Sequence, residues 1–94
     1  TTNAGVIDPL EGVAEVAGEL GIWFHVDGAY GGAGLVAPSV RDRYRGIEHA
    51  DSFIVDPHKW LFAPAGSCAS LSRPATRGDG AHPTRPVPRR VARW

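Results

Sequence analysis

Residues 51–61 read DSFIVDPHKWL. Ser52 to Val55 is a short apolar run, and Asp56-Pro57 closes it, because proline brings no amide to a ladder. The run predicts a strand. Just past its end stands Lys59, the sole lysine in a chain of 94 residues that otherwise takes its positive charge from arginine.

Upstream, Asp8-Pro9-Leu10-Glu11 predicts a helix start: Asp8 as cap, Pro9 at the first helical position and Glu11 completing a capping box. Leu10, Val13, Ala14, Ala17 and Leu20 recur at helical spacing, Glu15 and Glu19 face outward, and Gly21 is a stop. Ile22 to Val26 predicts a strand running into Asp27-Gly28-Ala29-Tyr30-Gly31-Gly32, a flexible turn. Residues 39–47 predict a short helix with Arg41, Arg43 and Arg45 solvated. Ser67 to Ser72 is a candidate third strand.

Helices alternating with apolar strands are the pattern of an α/β domain, with a parallel sheet covered on both faces. Ligands of such sheets bind beyond the carboxyl ends of the strands. Asp27 and the Asp56–Lys59 group fall at those ends, so Asp27, His58 and Lys59 are expected on one rim.

Ninety-four residues suffice for one small domain. One cysteine, Cys68, excludes an internal disulfide and fits a reducing, cytoplasmic setting. No apolar run approaches the ~20 residues of a membrane span, and no signal peptide is visible. The chain opens Thr1-Thr2-Asn3 without a methionine, as a piece of a longer protein would.

The net charge of zero hides an asymmetry. Residues 1–72 carry four positive side chains against nine acids, whereas residues 73–94 carry six arginines against Asp79. That last segment has no Leu, Ile or Phe and has four prolines. It is expected to be disordered. Its arginines could contact nucleic-acid phosphates, but no binding motif accompanies them and nucleic acid is not an expected partner.

The rim residues suggest a chemistry. A neutral lysine amine attacks carbonyls and forms a Schiff base, and apolar neighbours such as Trp60 and Leu61 favour the neutral form by desolvation. A carboxylate at the next strand end could keep a pyridinium nitrogen protonated, the pairing needed if the carbonyl belongs to pyridoxal phosphate. Plainer readings stand beside this one. A lysine after a strand is usually a solvated charge, and an aspartate there is usually a cap. His25 shares a strand face with Asp27 and is either a packed histidine or one of a metal pair. With His58 there would be three ligands, but the spacing matches no metal signature.

Residues 21–32, GIWFHVDGAYGG, followed by residues 50–62, ADSFIVDPHKWLF, resemble the group II pyridoxal-phosphate-dependent amino-acid decarboxylases, the branch of the aromatic-L-amino-acid and glutamate decarboxylases. Residues 1–17, TTNAGVIDPLEGVAEVA, resemble the segment preceding them in that family. The likeness spans about residues 1–64. It implies part of the large cofactor-binding domain of a fold type I (aspartate-aminotransferase-like) enzyme, with a mostly parallel sheet and flanking helices.

The resemblance also implies roles. Lys59 would form the internal aldimine with pyridoxal 5′-phosphate, and Asp27 would pair with the pyridine nitrogen. Ala29 would lie against a face of the ring, Thr2 near its phenolic side, and His58 near the phosphate. Asp56 stands where asparagine often donates toward the phosphate. An ionised aspartate cannot donate, so Asp56 is protonated, is turned away, or makes a different contact. Gly28 stands where alanine is common, a change expected to be harmless. The substrate would be an amino acid, with Tyr30 and Trp60 leaning toward an aromatic one. The family's homodimer, its phosphate cradle before Thr1 and its mobile loop after Trp94 would complete the site, and the chain alone is expected to be inactive. A lyase or aldehyde-forming relative of the same fold is the alternative.

Past WLFAP the likeness fades. Residues 65–72 are expected to be a diverged strand. From about residue 65 the Arg, Pro, Gly and Ala content suits a GC-rich gene read out of frame, the alternative being an unrelated natural tail.

Overall fold

The structure, a computed structural model, describes residues 2–73. The segment expected to be disordered lies, apart from Arg73, outside the described residues. The elements that position the rim are one α-helix, α1 (Leu10–Leu20), and three strands, β1 (His25–Asp27), β2 (Ser52–Val55) and β3 (Ala69–Ser72). Short 3-10 turns connect them.

Helix α1 uses the apolar stripe read from its sequence. Leu10 and Ala17 are buried, and Val13 and Ala14 pack against the same core; Leu20, expected in the stripe, is exposed. The helix begins one residue later than expected. Leu10 N–H donates to the Asp8 carbonyl (2.8 Å) and Val13 N–H to the Pro9 carbonyl (3.2 Å), which puts Pro9 at the N-cap. Its ring offers no acceptor, so the capping box does not form; Glu11 still favours the positive end of the helix dipole. At the other end Gly21 is left-handed, φ 64°. Gly21 N–H donates to Gly18 O and Ile22 N–H to Ala17 O, the paired bonds of a Schellman cap.

Strand β1 is shorter than expected because side chains tie down the residues before it. Phe24 N–H donates to Asp51 Oδ2 (2.8 Å), and the Trp23 indole donates to Ser52 Oγ (2.9 Å). Strand β2 occupies the span read from the sequence. It pairs parallel with β1 (His25 with Ser52, Asp27 with Ile54) and antiparallel with β3 (Ser52 with Ser72, Val55 with Ala69).

The three-stranded sheet is therefore mixed, in the order β1-β2-β3, and not the parallel sheet expected. The connection explains it. A parallel neighbour needs a crossover, usually a helix, and residues 56–68 supply only turns, so β3 folds back on β2. Among the described residues one face is not fully covered: β3 is largely exposed, and β2 is half-buried along its length.

The core joins Leu10, Ala17, Phe24, Val26 and Tyr44. Tyr44 also corrects two expectations. The turn expected over Asp27–Gly32 is present at Ala29-Tyr30, but Gly31 and Gly32 open a 3-10 helix, Gly31–Val36, with Gly32, Ala33 and Gly34 buried, and Tyr44 Oη donates to the Gly31 carbonyl (2.6 Å). The helix expected over residues 39–47 is broken into 3-10 turns, Arg41–Tyr44 and Ile47–His49. Gly46 separates them at φ 95°, where a Cβ would stand 2.4 Å from Glu11 N. The chain leaves the helical path at Arg45 (φ −51°, ψ 136°), and the approach of Gly46 to the first turn of α1 leaves no room for a side chain there.

Candidate active site

The parallel pairing of β1 and β2 brings their carboxyl ends together. Asp27 is the last residue of β1, opposite Ile54, and Asp56 follows β2 directly. Two backbone bonds fasten the turns beyond them. Asp56 N–H donates to the Ala29 carbonyl (3.2 Å), and Lys59 N–H donates to the Asp56 carbonyl (3.0 Å). The Asp27 carboxylate accepts the Ala29 N–H (3.0 Å). Ala29, Asp56 and Lys59 thus sit on turns whose backbone is anchored at a strand end.

These turns enclose a cavity of about 260 Å3. Thr2, Asp27, Ala29 and Lys59 all border it, together with Tyr30, Trp60 and Asp8. Four of the six residues expected to meet the cofactor therefore share one space, from three separate parts of the chain. Asp56 and His58 do not border it. His58 is turned to the loop that follows: its Nδ1 donates to the Ser67 carbonyl (2.5 Å).

Asp56 faces its own lysine. Lys59 Nζ lies 3.0 Å from Asp56 Oδ2, with the carboxylate 15% and the lysine side chain 33% exposed. The hydrogen bond from Lys59, and after it one from the Cys68 thiol, hold the Asp56 carboxyl below the usual carboxylate range. The same carboxylate pushes the Cys68 thiol up. Of the three arrangements open from the sequence, the geometry has Asp56 making a different contact, with Lys59.

One aromatic ring stands near the amine and meets a second. Lys59 Nζ is 5.7 Å from the Tyr30 ring centroid, a distance at which a cation is attracted to the face of a ring. Tyr30 and Trp60 meet edge to face, centroids 5.5 Å apart. His25, left open above, is half-buried and bonded across to β2. Its Nδ1 lies 2.7 Å from Ser52 Oγ, which already accepts the Trp23 indole N–H and so has its hydrogen free for the imidazole. Among the described residues no three His, Cys, Asp or Glu side chains are grouped to hold a metal.

Cys68 is the residue of this site that sequence reasoning passed over. Its signal was present. If β3 returns antiparallel with Val55 opposite Ala69, one further step of the register sets Cys68 opposite Asp56. That pairing is visible only after residues 56–68 are read as a connection without a helix.

Comparison with known proteins decides the family. The pyridoxal-dependent decarboxylase conserved domain matches residues 1–78. The chain belongs to this family. It is 47% identical over 68 residues to a tryptophan decarboxylase of Camptotheca acuminata, covering 72% of this chain and 14% of the relative. It is equally identical, over the same length, to a phenylacetaldehyde synthase of a Rosa hybrid cultivar, covering 13% of that relative. Among solved structures, mouse CSAD in its apo form superposes with a TM-score of 0.69 at 42% identity, covering 71% of this chain and 14% of that one. The chain therefore spans about one-seventh of the length of the relatives it matches. The family match also runs past residue 64, through β3.

Proposed function

We propose that this chain is a segment of a pyridoxal-phosphate-dependent amino-acid decarboxylase, a carboxy-lyase built on the large domain of a fold type I enzyme. The observation that carries the proposal is the cavity beyond β1 and β2. In it the chain's only lysine and the Asp27 carboxylate, from neighbouring parallel strand ends, border one space of about 260 Å3.

The donor set fits the ring end of pyridoxal phosphate. Lys59 offers the amine that an aldehyde needs, Asp27 a carboxylate for a protonated ring nitrogen, and Ala29 a side chain small enough to admit a flat ring; Thr2 borders the same space. The phosphate end has less support, since His58 and Asp56 are directed elsewhere. When bound, the cofactor supplies an electron sink through which a substrate's α-carbon can lose carbon dioxide.

The chain's own part is local. Lys59 must give up a proton before its nitrogen can attack carbon. Asp27 would hold a protonated ring nitrogen by its carboxylate and so keep the ring electron-poor. The Ala29 N–H fixes the orientation of that carboxylate. Tyr30 and Trp60 border the space as aromatic surfaces and support an aromatic amino acid as substrate. A homodimer, the remaining domain and a cytoplasmic setting belong to the same proposal.

A second reading is favoured by one finding. The rose phenylacetaldehyde synthase matches as well as the tryptophan decarboxylase does. The segment therefore also suits an enzyme that releases an aldehyde.

Two measurements test the proposal. Borohydride reduction of this chain with pyridoxal phosphate should place the adduct on Lys59; an adduct confined to the α-amine would reject Lys59 as the anchor. Residues 1–72 grafted into the matching segment of the Camptotheca tryptophan decarboxylase should release carbon dioxide from tryptophan, and Lys59→Ala should abolish it. A graft that folds, binds cofactor and releases none would reject the decarboxylase assignment. The product, amine or aldehyde, separates the two readings.

A further inference from the structure

We infer that the outer face of α1 and the turn packed beside it form a docking groove for an arginine-rich segment, and that residues 85–94 of this chain, RPVPRRVARW, are the segment it fits.

The groove is a cavity of about 460 Å3 between α1 and residues 49–51, and it shares no lining residue with the cavity at Lys59. Helical periodicity builds its rim. Glu11, Glu15 and Glu19 recur every fourth residue, so they stand in one exposed row, about 6 Å apart along α1 at ~1.5 Å per residue. Asp51 adds a fourth carboxyl group from the other wall, while Ala17 and Ile22 make part of an apolar floor. Among the described residues no lysine or arginine borders this space, and none pairs with the three glutamates. Like charges four residues apart repel one another and weaken a helix. A positive chain laid along the row relieves that repulsion and covers the floor.

The place where the described chain ends points to the occupant. Arg73 is fastened to the wall of the groove: its N–H donates to the Asp51 carbonyl (2.9 Å), its Nε to the Ala50 carbonyl (3.1 Å) and its Nη2 to the Glu48 carbonyl. The eleven residues 74–84 can span up to about 36 Å at ~3.3 Å each, whereas α1, with 11 residues, is about 16 Å long. Residues 85–94 are therefore within reach of the whole row. Their composition matches both parts of the groove. Arg85, Arg89, Arg90 and Arg93 suit the carboxyl rim, since a guanidinium can offer two N–H groups to one carboxylate. Val87, Val91 and Trp94 suit the apolar floor, and the segment holds no acid.

The test uses the whole 94-residue chain labelled with nitrogen-15. Its amide signals are compared with those of R85Q/R89Q/R90Q/R93Q, which leaves residues 1–84 unaltered. The signals of α1 and of residues 49–51 should shift between the two chains, and those of β2 should not. About 1 M salt, which screens exposed charges, should move the wild-type signals to the positions of the variant; this arm needs no substitution. A synthetic RPVPRRVARW peptide added to the variant should restore the wild-type shifts. Adding Glu15→Gln and Glu19→Gln to that variant should weaken binding of the peptide about fivefold, the size expected of two exposed ion pairs.

Coincident α1 signals in wild type and variant, or wild-type α1 signals unmoved by salt, would overturn the inference. Peptide binding unaffected by loss of the two glutamates would do the same. Shift differences that vanish on dilution would mean that the groove takes the segment of a second copy, and would refute docking within one chain; differences independent of concentration support it.

Discussion

The ring of Phe53 lies against Gly28 so closely that a Cβ on Gly28 would stand 2.3 Å from Phe53 Cε2 and 2.9 Å from the Ile54 carbonyl oxygen. The first contact could relax by a swing of the ring. The second could not, because Ile54 is the ladder partner of Asp27. Gly28→Ala is therefore expected to destabilise the chain by about 1–3 kcal/mol, the usual cost of forcing atoms into packed space. A urea titration followed by circular dichroism checks it. Phe53→Leu should recover part of the loss, and an unchanged midpoint for Gly28→Ala would show that the strands separate freely. In this packing the glycine expected to be harmless at position 28 is the residue that fits, and an alanine is not.

Tyr44 ties the Gly31–Val36 turn to the core through its hydroxyl. Tyr44→Phe keeps the ring and removes the donor, leaving the Gly31 carbonyl without that bond. A loss of about 0.5–1.5 kcal/mol is expected, the net contribution of a typical hydrogen bond, since the Gly31 carbonyl is only half-buried. Thermal unfolding measures it. The turn that Tyr44 steadies also carries Ala29 and Tyr30, so the same variant should trap pyridoxal phosphate on Lys59 less efficiently.

How much of this was legible in the sequence depends on the residue. Strand β2 was readable because Pro57 ends it and apolar residues fill it. The meeting of Asp27 and Lys59 at one cavity was readable because parallel strands set their carboxyl ends side by side. The direction of β3 was not, since pairing direction follows from what a connection can span, and residues 56–68 hold no helix. The helical expectation for residues 39–47 failed by Arg45, which is extended, and the approach of Gly46 to the backbone of α1 beyond it is a tertiary contact with no local signature. The orientation of Asp56 toward Lys59 is likewise a choice between partners that only geometry settles.

Acid should weaken the fold in two steps. Glu48 is held below its ordinary 4.5, chiefly by its own backbone N–H and also by that of Gly46. Asp56 is held below 3.8, first by Lys59 and then by Cys68. A carboxylate depressed in the folded state adds stability above its unfolded value, and that contribution is lost as pH falls through the folded value. Stability should thus begin to fall below about 4.5, the unfolded value for Glu48, and fall further below 3.8 as Asp56 takes up its proton. Glu48→Gln should remove the first step and Asp56→Asn the second. Urea midpoints measured from about pH 6 down to about pH 2.5 check this; an acid limb unchanged in both variants would contradict it.

At the alkaline end the sign reverses, and Cys68 is the group concerned. Its thiol is raised above 9.0, first by its hydrogen bond to Asp56. The folded state therefore favours the protonated thiol, and the stability this contributes is complete below 9.0 and lost as pH rises through the raised folded value. Since Cys68 is exposed, reagent can reach it, and its reactivity reports the thiolate fraction. Iodoacetamide near pH ~8 should alkylate the folded wild-type chain more slowly than the urea-unfolded chain. Asp56→Asn should speed alkylation of the folded chain while leaving the unfolded rate unchanged, because the carboxylate acts only when β3 sets Cys68 beside it. Equal rates in folded wild type and folded Asp56→Asn would mean that the thiol and the carboxylate are not bonded in solution. The antiparallel return of β3, which the sequence pattern did not reveal, would then lose its chemical consequence at the site.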